Sequence, residues 1–314
     1  METKKYISCS GAGTKGLMFS GVLDALEDHM EHLGIKYSVW RQQLKGLAGT
    51  SAGSIICLFI ILGLNKEKRN NIISRIFCDM RNIIPCPDIS LMITSYGLEN
   101  GNTFKENIKN ILVESGLSGE TTLGDIKRLF GKEFVCVCSD LKSQEKIYLS
   151  SCKNPNLKIY DAIYMSCSIP FLFVPMEYNG SQIVDGSLTE DIPFVFDNDE
   201  TLFLVVDKCK LETKIESWAD YIHCLLSFPL KFQNNYKKIE NSESILIVEN
   251  DVIRRLPSLD LNIDTKTANM LISYGYLVTL DIILKKNIKS LVGSVVELVI
   301  NIMKTDDLYD SLKY

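Results

Sequence analysis

The segment with the most definite chemistry is Gly49-Thr50-Ser51-Ala52-Gly53. A serine between glycines at a strand-to-helix turn is a nucleophile elbow. The small neighbours let the chain reverse sharply and lift the hydroxyl clear of the backbone. The start of the following helix favours a developing negative charge. A second motif lies upstream, in Ser10-Gly11-Ala12-Gly13-Thr14-Lys15-Gly16. Its glycines bring backbone N–H groups close to an anion at a helix start. Three uses are open to it: a cradle for a dinucleotide pyrophosphate, a site for the oxyanion of an acyl transfer, or a tight turn without a ligand.

A serine nucleophile needs a base. The chain has three histidines. His29 and His32 precede Ser51 and read as solvated residues of a helix. Only His223 follows it, in the amphipathic stretch Tyr221-Ile222-His223-Cys224-Leu225, with no turn signal. Asp185, in Ile183-Val184-Asp185-Gly186-Ser187, is the better candidate. It ends a short strand, and sites in α/β sheets form at such ends. A carboxylate is a weak base in water, with a pKa of about 3.9. A low-dielectric cleft raises its basicity.

Periodicity supplies the elements around these groups. Tyr6–Ser10 reads as a strand, Lys15–Leu33 as a helix ended by Gly34, Gly46–Gly49 as a second strand and Ala52–Leu64 as a helix. Strand–turn–helix twice in succession points to an α/β fold with a parallel sheet. Lys66–Ile84 reads as a helix stopped by Pro85 and Pro87, and Pro85–Gly97 as irregular. Thr103–Glu114, Thr122–Phe130 and Tyr160–Cys167 read as helices. Glu133–Ser139 reads as a central strand buried on both faces, followed by strands at Lys146–Ser150, Gln182–Asp185, Leu202–Val206 and Ile245–Val248. Asp264–Lys286 and Ile288–Met303 read as two helices.

Composition bounds the function. The 314 residues are 46% hydrophobic and 23% charged, and mean hydropathy is +0.07. A disordered chain is excluded. A net charge of −5 argues against a nucleic-acid partner. The ten cysteines sit mostly in apolar runs, as at Cys57, Cys136 and Cys138, without a C-x-x-C pair. They read as buried thiols in a reducing compartment. No secretory signal is visible. The apolar run Ile55–Leu64 is far shorter than the roughly 20 residues a membrane span needs. The expected location is cytoplasmic, peripheral at membranes, with no transmembrane segment. No metal-ligand set or cofactor motif is expected beyond the glycine loop.

The three ordered blocks, Ser10–Gly16, Gly49–Gly53 and Asp185-Gly186-Ser187, resemble those of the patatin-like phospholipases. Tyr164-Met165-Ser166-Cys167-Ser168-Ile169-Pro170-Phe171-Leu172-Phe173-Val174-Pro175 is similar to that family's stretch before the aspartate. The resemblance covers roughly residues 6–207 and implies a catalytic domain there. Residues 208–314 would form a mostly helical region packed on it. It implies a three-layer α/β fold with a mainly parallel central sheet flanked by helices. It also implies a Ser51–Asp185 dyad and an oxyanion hole of backbone N–H groups from Gly11, Ala12, Gly13 and Thr14. Lys15, Gly16, Gly49, Gly53 and Gly186 would support the motifs. Two departures are Gly-Ala-Gly for Gly-Gly-Gly in the first loop, and Ser187 where glycine or alanine is common.

The implied activity is metal-independent cleavage of fatty acyl esters, of phospholipase A or lysophospholipase type, on a lipid or phospholipid at a membrane surface. Ile55–Leu64, Ile169, Phe171, Leu172 and Phe173 would line an acyl cleft or fill the core. Ile83–Tyr96 would be a lid or a packed loop. Lys285, Lys286 and Lys289 would face a membrane or solvent. Two other readings stand: a silent lipid-binding protein on the same fold, and a dinucleotide-binding oxidoreductase using Gly11–Gly16. The latter wants an acidic residue at a strand end about 20 residues on, where Glu31 lies within a helix pattern.

Overall fold

A computed structural model describes residues 3–78, 89–206, 221, 224–225, 245–248 and 263–305. Strand β1 (Tyr6–Cys9) leads through a 3-10 turn (Gly13–Leu17) into helix α1 (Met18–His32). Then come α2 (Tyr37–Gln43), β2 (Gly46–Thr50), α3 (Ala52–Leu62), α4 (Lys66–Cys78), α5 (Ile89–Ser95) and β3 (Gly97–Glu99). They are followed by α6 (Asn102–Glu114), α7 (Leu123–Phe130), β4 (Glu133–Asp140), β5 (Glu145–Ser150) and α8 (Ile159–Cys167). The chain continues with β6 (Phe171–Phe173), β7 (Met176–Tyr178), β8 (Ser181–Asp185), β9 (Thr201–Val206), β10 (Ile245–Val248) and α9 (Thr265–Thr305).

The central sheet runs β10-β9-β1-β2-β4-β8-β7, with β5 also paired to β4. From β10 to β4 the pairs are parallel; β5, β8 and β7 join antiparallel. Helices flank the sheet, giving the three layers expected. Central strands are apolar on both faces, as helices on either side require: every residue of β9, Thr-Leu-Phe-Leu-Val-Val, is buried. Helix α3 is apolar all round and buried from Ala52 to Ile61. A helix without a polar face must lie inside the protein. Each of its large side chains contributes about 1.5–3 kcal/mol by leaving water.

One arrangement in the sheet governs the site. Residues 135–137 of β4 pair with β2 on one side and β5 on the other, while 138–140 pair with β8 and β5. Strands β2 and β8 therefore share one edge of β4. They run toward each other and end there, with Thr50 opposite Val137 and Asp185 opposite Cys138.

Three differences from the sequence reading have local causes. Part of the stretch read as irregular is helix α5. Pro85 and Pro87 bar a helix only around their own positions, and nothing from Ile89 to Ser95 breaks one. The two helices read near the C-terminus are one, α9, of 41 residues. Asn287 between them is a poor helix former but not a breaker. Short elements without a periodic signal, namely α2, β3, β6 and β7, were not legible.

Helix α9 is built against α1. A Cβ at Gly21 would lie 1.9 Å from the Ile272 carbonyl oxygen, and one at Gly275 would lie 2.1 Å from that of Met18. The two backbones touch where side chains would keep them apart. Among the described residues, Thr265–Lys285 is the one helix segment long and apolar enough to cross a membrane, and a third of its most apolar window is buried inside the protein.

Candidate active site

The end-to-end meeting of β2 and β8 brings Ser51 to Asp185. The Ser51 hydroxyl donates to Asp185 Oδ2 at 2.6 Å. Both residues are 4% exposed. The other carboxylate oxygen, Oδ1, accepts from the Ser187 N–H at 2.8 Å. A carboxylate held by both oxygens has one orientation, and one lobe faces the hydroxyl.

The elbow itself is strained. Ser51 has φ 53° and ψ −127°, in a region that residues with a Cβ rarely occupy. Its glycines are there for space. A Cβ at Gly49 would lie 2.4 Å from the Ser54 nitrogen, and one at Gly53 would lie 2.5 Å from the carbonyl oxygens of Cys9 and Ser10. The first turn of α3 is closed by Ser54, whose N–H and hydroxyl both donate to the Ser51 carbonyl, at 2.8 and 2.6 Å.

The glycine loop leaves β1 beside this turn, because Cys9 pairs with Gly49. Gly11 donates its N–H to the Asp191 carbonyl at 3.0 Å, which ties the loop to the segment after Asp185. Gly13 takes φ +55° and starts the 3-10 turn. Ala12, Thr14, Lys15 and Gly16 are buried there, and Gly13 is half-buried. Gly186 lies flat on β4, where a Cβ would come within 2.3 Å of the Val137 carbonyl oxygen.

The histidines stand elsewhere. His29 is buried in α1, a correction to its reading as solvated; α1 is a packed helix, with α9 lying along it. His32 is exposed. His223 lies outside the described residues, as do Ile83–Asp88 and the side chains of Lys286 and Lys289. Lys285 is exposed and pairs with Asp281. Leu172 and Phe173 are core residues, and Phe171 is 40% exposed. Glu31 sits in the last turn of α1 and not at a strand end, so a dinucleotide site lacks its acidic residue.

Two thiols border the dyad. Burial, then for Cys138 the neighbouring Cys136 and for Cys167 the Asp185 carboxylate, holds both well above the usual thiol range. A thiol that keeps its proton is a poor nucleophile.

Sequence reasoning missed several residues that fix the site. Thr50 Oγ1 donates to the Glu190 carbonyl at 3.0 Å, and Ser139 Oγ to the Asp185 carbonyl at 2.8 Å. Glu190 is buried and held by Lys146 and by the Tyr148 hydroxyl at 2.5 and 2.6 Å. Ser166 Oγ accepts from the Ser51 N–H at 2.9 Å. Thr50 and Ser166 lie inside stretches the sequence does single out, Gly49–Gly53 and Tyr164–Pro175, but residue type and spacing there say nothing of these contacts.

A three-layer α/β fold with a serine elbow facing a strand-end carboxylate defines a class of acyl hydrolases. The chain belongs to the patatin-like phospholipase family, whose model matches residues 7–196. An uncharacterised protein of Acanthamoeba polyphaga mimivirus is 25% identical over 287 residues, covering 86% of this chain and 91% of its own. The omega-hydroxyceramide transacylase of Mus musculus is 23% identical over 197 residues, which are 62% of this chain and 29% of that one. The crystal structure of VipD from Legionella pneumophila superposes with a TM-score of 0.59 at 14% identity, over 89% of this chain and 66% of that one. The family is one of lipid hydrolases.

Proposed function

We propose that this chain is a phospholipase A or lysophospholipase-type esterase, with Ser51 as nucleophile and Asp185 as its general base. The observation that carries the reading is the 2.6 Å hydrogen bond from Ser51 Oγ to Asp185 Oδ2. Asp185 takes the hydroxyl proton as Oγ attacks the ester carbonyl. The resulting oxyanion is held by backbone N–H groups drawn from Ala12, Gly13 and Thr14; the Gly11 N–H is engaged with Asp191. Each such donor is worth about 3 kcal/mol in the transition state. Asp185 then protonates the leaving alcohol. Water attacks the acyl-serine, gives its proton to Asp185, and the fatty acid departs as Ser51 Oγ regains a proton.

Residues 6–207 carry this apparatus, and α9 buttresses α1 directly behind the glycine loop. Cys9, Cys57, Cys136, Cys138, Cys152, Cys167 and Cys224 are free thiols, five of them buried, which suits a reducing, cytoplasmic compartment. The substrate is a lipid or phospholipid met at a membrane surface. A fluorophosphonate probe, with the labelled peptide located by mass spectrometry, tests the assignment. Covalent modification at Ser51, together with hydrolysis of a p-nitrophenyl acyl ester, is expected. An unlabelled, folded protein would sink it.

A further inference from the structure

Beyond the dyad itself, and resting on that functional reading, we propose that the C-terminal turn of α8 is the bracket that sets the Ser51–Asp185 separation. Ser166 is its positioning residue. Two contacts make the bracket. Ser166 Oγ accepts from the Ser51 N–H at 2.9 Å, and the Ser168 carbonyl accepts from the Asp185 N–H at 2.9 Å. One short turn of chain therefore holds the main chain of both partners.

Ser166 is fully buried. Its hydroxyl is used twice, donating to the Val137 carbonyl at 2.7 Å while accepting from Ser51. Val137 is the last residue of β4 paired with β2. Beyond it the ladder position of Ser51 is taken by Asp185, which faces Cys138. The Ser51 N–H thus leaves the sheet where its strand ends, and the Ser166 hydroxyl restores the connection to β4. A hydroxyl suits this place because it donates and accepts in one small group. Without it, a buried N–H loses its partner next to a residue whose φ of 53° is already unfavourable. Rotation of that peptide toward ordinary φ relieves the strain and swings Oγ away from Asp185. Ser166 acts on the reaction only through Ser51.

The test compares Ser166→Ala with Ser168→Ala. The second removes a buried hydroxyl from the same turn, one that donates to the Tyr164 carbonyl at 3.0 Å, and leaves the Ser168 carbonyl on Asp185 intact. Against wild type, Ser166→Ala should lose about tenfold or more in kcat and in the rate of fluorophosphonate labelling, with KM within about twofold. Ser168→Ala should keep both rates within about threefold. Amide hydrogen exchange in the peptide containing Ser51 should quicken by about tenfold in Ser166→Ala alone. That readout needs no activity, so it separates this inference from the functional reading. If Ser166→Ala does not fold, Ser166→Thr and Ser166→Cys replace it. The hydroxyl should preserve the exchange rate, and the weakly bonding thiol should raise it. Wild-type labelling or exchange in a folded Ser166→Ala or Ser166→Cys, or equal losses in Ser166→Ala and Ser168→Ala, overturns the proposal.

Discussion

Thr50 and Asp185 face successive residues of one strand, Val137 and Cys138, although they end strands that run in opposite directions. The residue after Thr50 is Ser51. Its hydroxyl meets the carboxylate because two strand termini compete for one position on β4. The site is a property of sheet register, so a change to that register, or to either group it delivers, should reach the chemistry.

Ser51→Ala and Asp185→Asn should each abolish ester hydrolysis, by on the order of a thousandfold or more, while circular dichroism stays that of the wild type. Both side chains are small and the replacements keep their volume. Asparagine can still accept a hydrogen bond from Ser51 but takes no proton. Turnover of a p-nitrophenyl ester by purified Ser51→Ala would show that another group is the nucleophile.

Gly275→Leu should destabilise the protein by about 2–3 kcal/mol, since its side chain meets the Met18 backbone. Leu277→Ser, at a position 61% exposed on the same helix, should change stability by less than about 0.5 kcal/mol. Urea unfolding midpoints distinguish the two. Equal effects would mean that α9 is not seated on α1 through the glycine contact.

Arg69 is buried between α4 and α1, with Nη2 2.5 Å from Asp24 Oδ1 and 2.9 Å from Glu27 Oε2. Arg69→Ala should cost about 3–5 kcal/mol, because it leaves the buried Asp24 carboxylate with only the more distant Lys66, at 3.8 Å, and Asn70, at 3.4 Å. Adding Asp24→Leu should recover much of the loss. A double variant no more stable than Arg69→Ala alone would remove the stranded charge as the cause.

Lys132 is buried, and its ammonium donates to the carbonyls of Arg41 and Leu44, both at 2.6 Å. Burial, then the Arg41 charge, pushes its pKa down from 10.5 to about 8. Between those two pH values the unfolded chain holds a proton that the folded one has released. Unfolding therefore takes up a proton, and stability rises with pH across that window. The two carbonyls favour the charged form and limit the gain to about 2 kcal/mol. Wild type should gain on Lys132→Met between pH 7.5 and 9.5 in urea titrations. A difference that stays constant over that range would contradict the shift.

Most of the fold was legible because its strands and helices announce themselves. The apolar run Phe134–Cys138 and the all-apolar α3 have no other stable place than inside a layered sheet. Ser51 was legible because its turn needs glycines on both sides, and Asp185 because it closes a strand ahead of Gly186. What joins them was not legible. Ser166 contributes through one oxygen placed between two main chains, and that placement depends on how α8 crosses β4. Helix α5 and the short strands β3 and β6 likewise have no pattern of their own; pairing with each other and with neighbours creates them.

The hydroxyl and the carboxylate are 134 positions apart in the chain. A growing polypeptide that has already paired β1 with β2 carries an exposed serine and no base. Only when β8 docks end-on against β2 does the pair exist. With Ser51 and Asp185 in their proposed roles, an unfinished or misregistered copy has no assembled dyad.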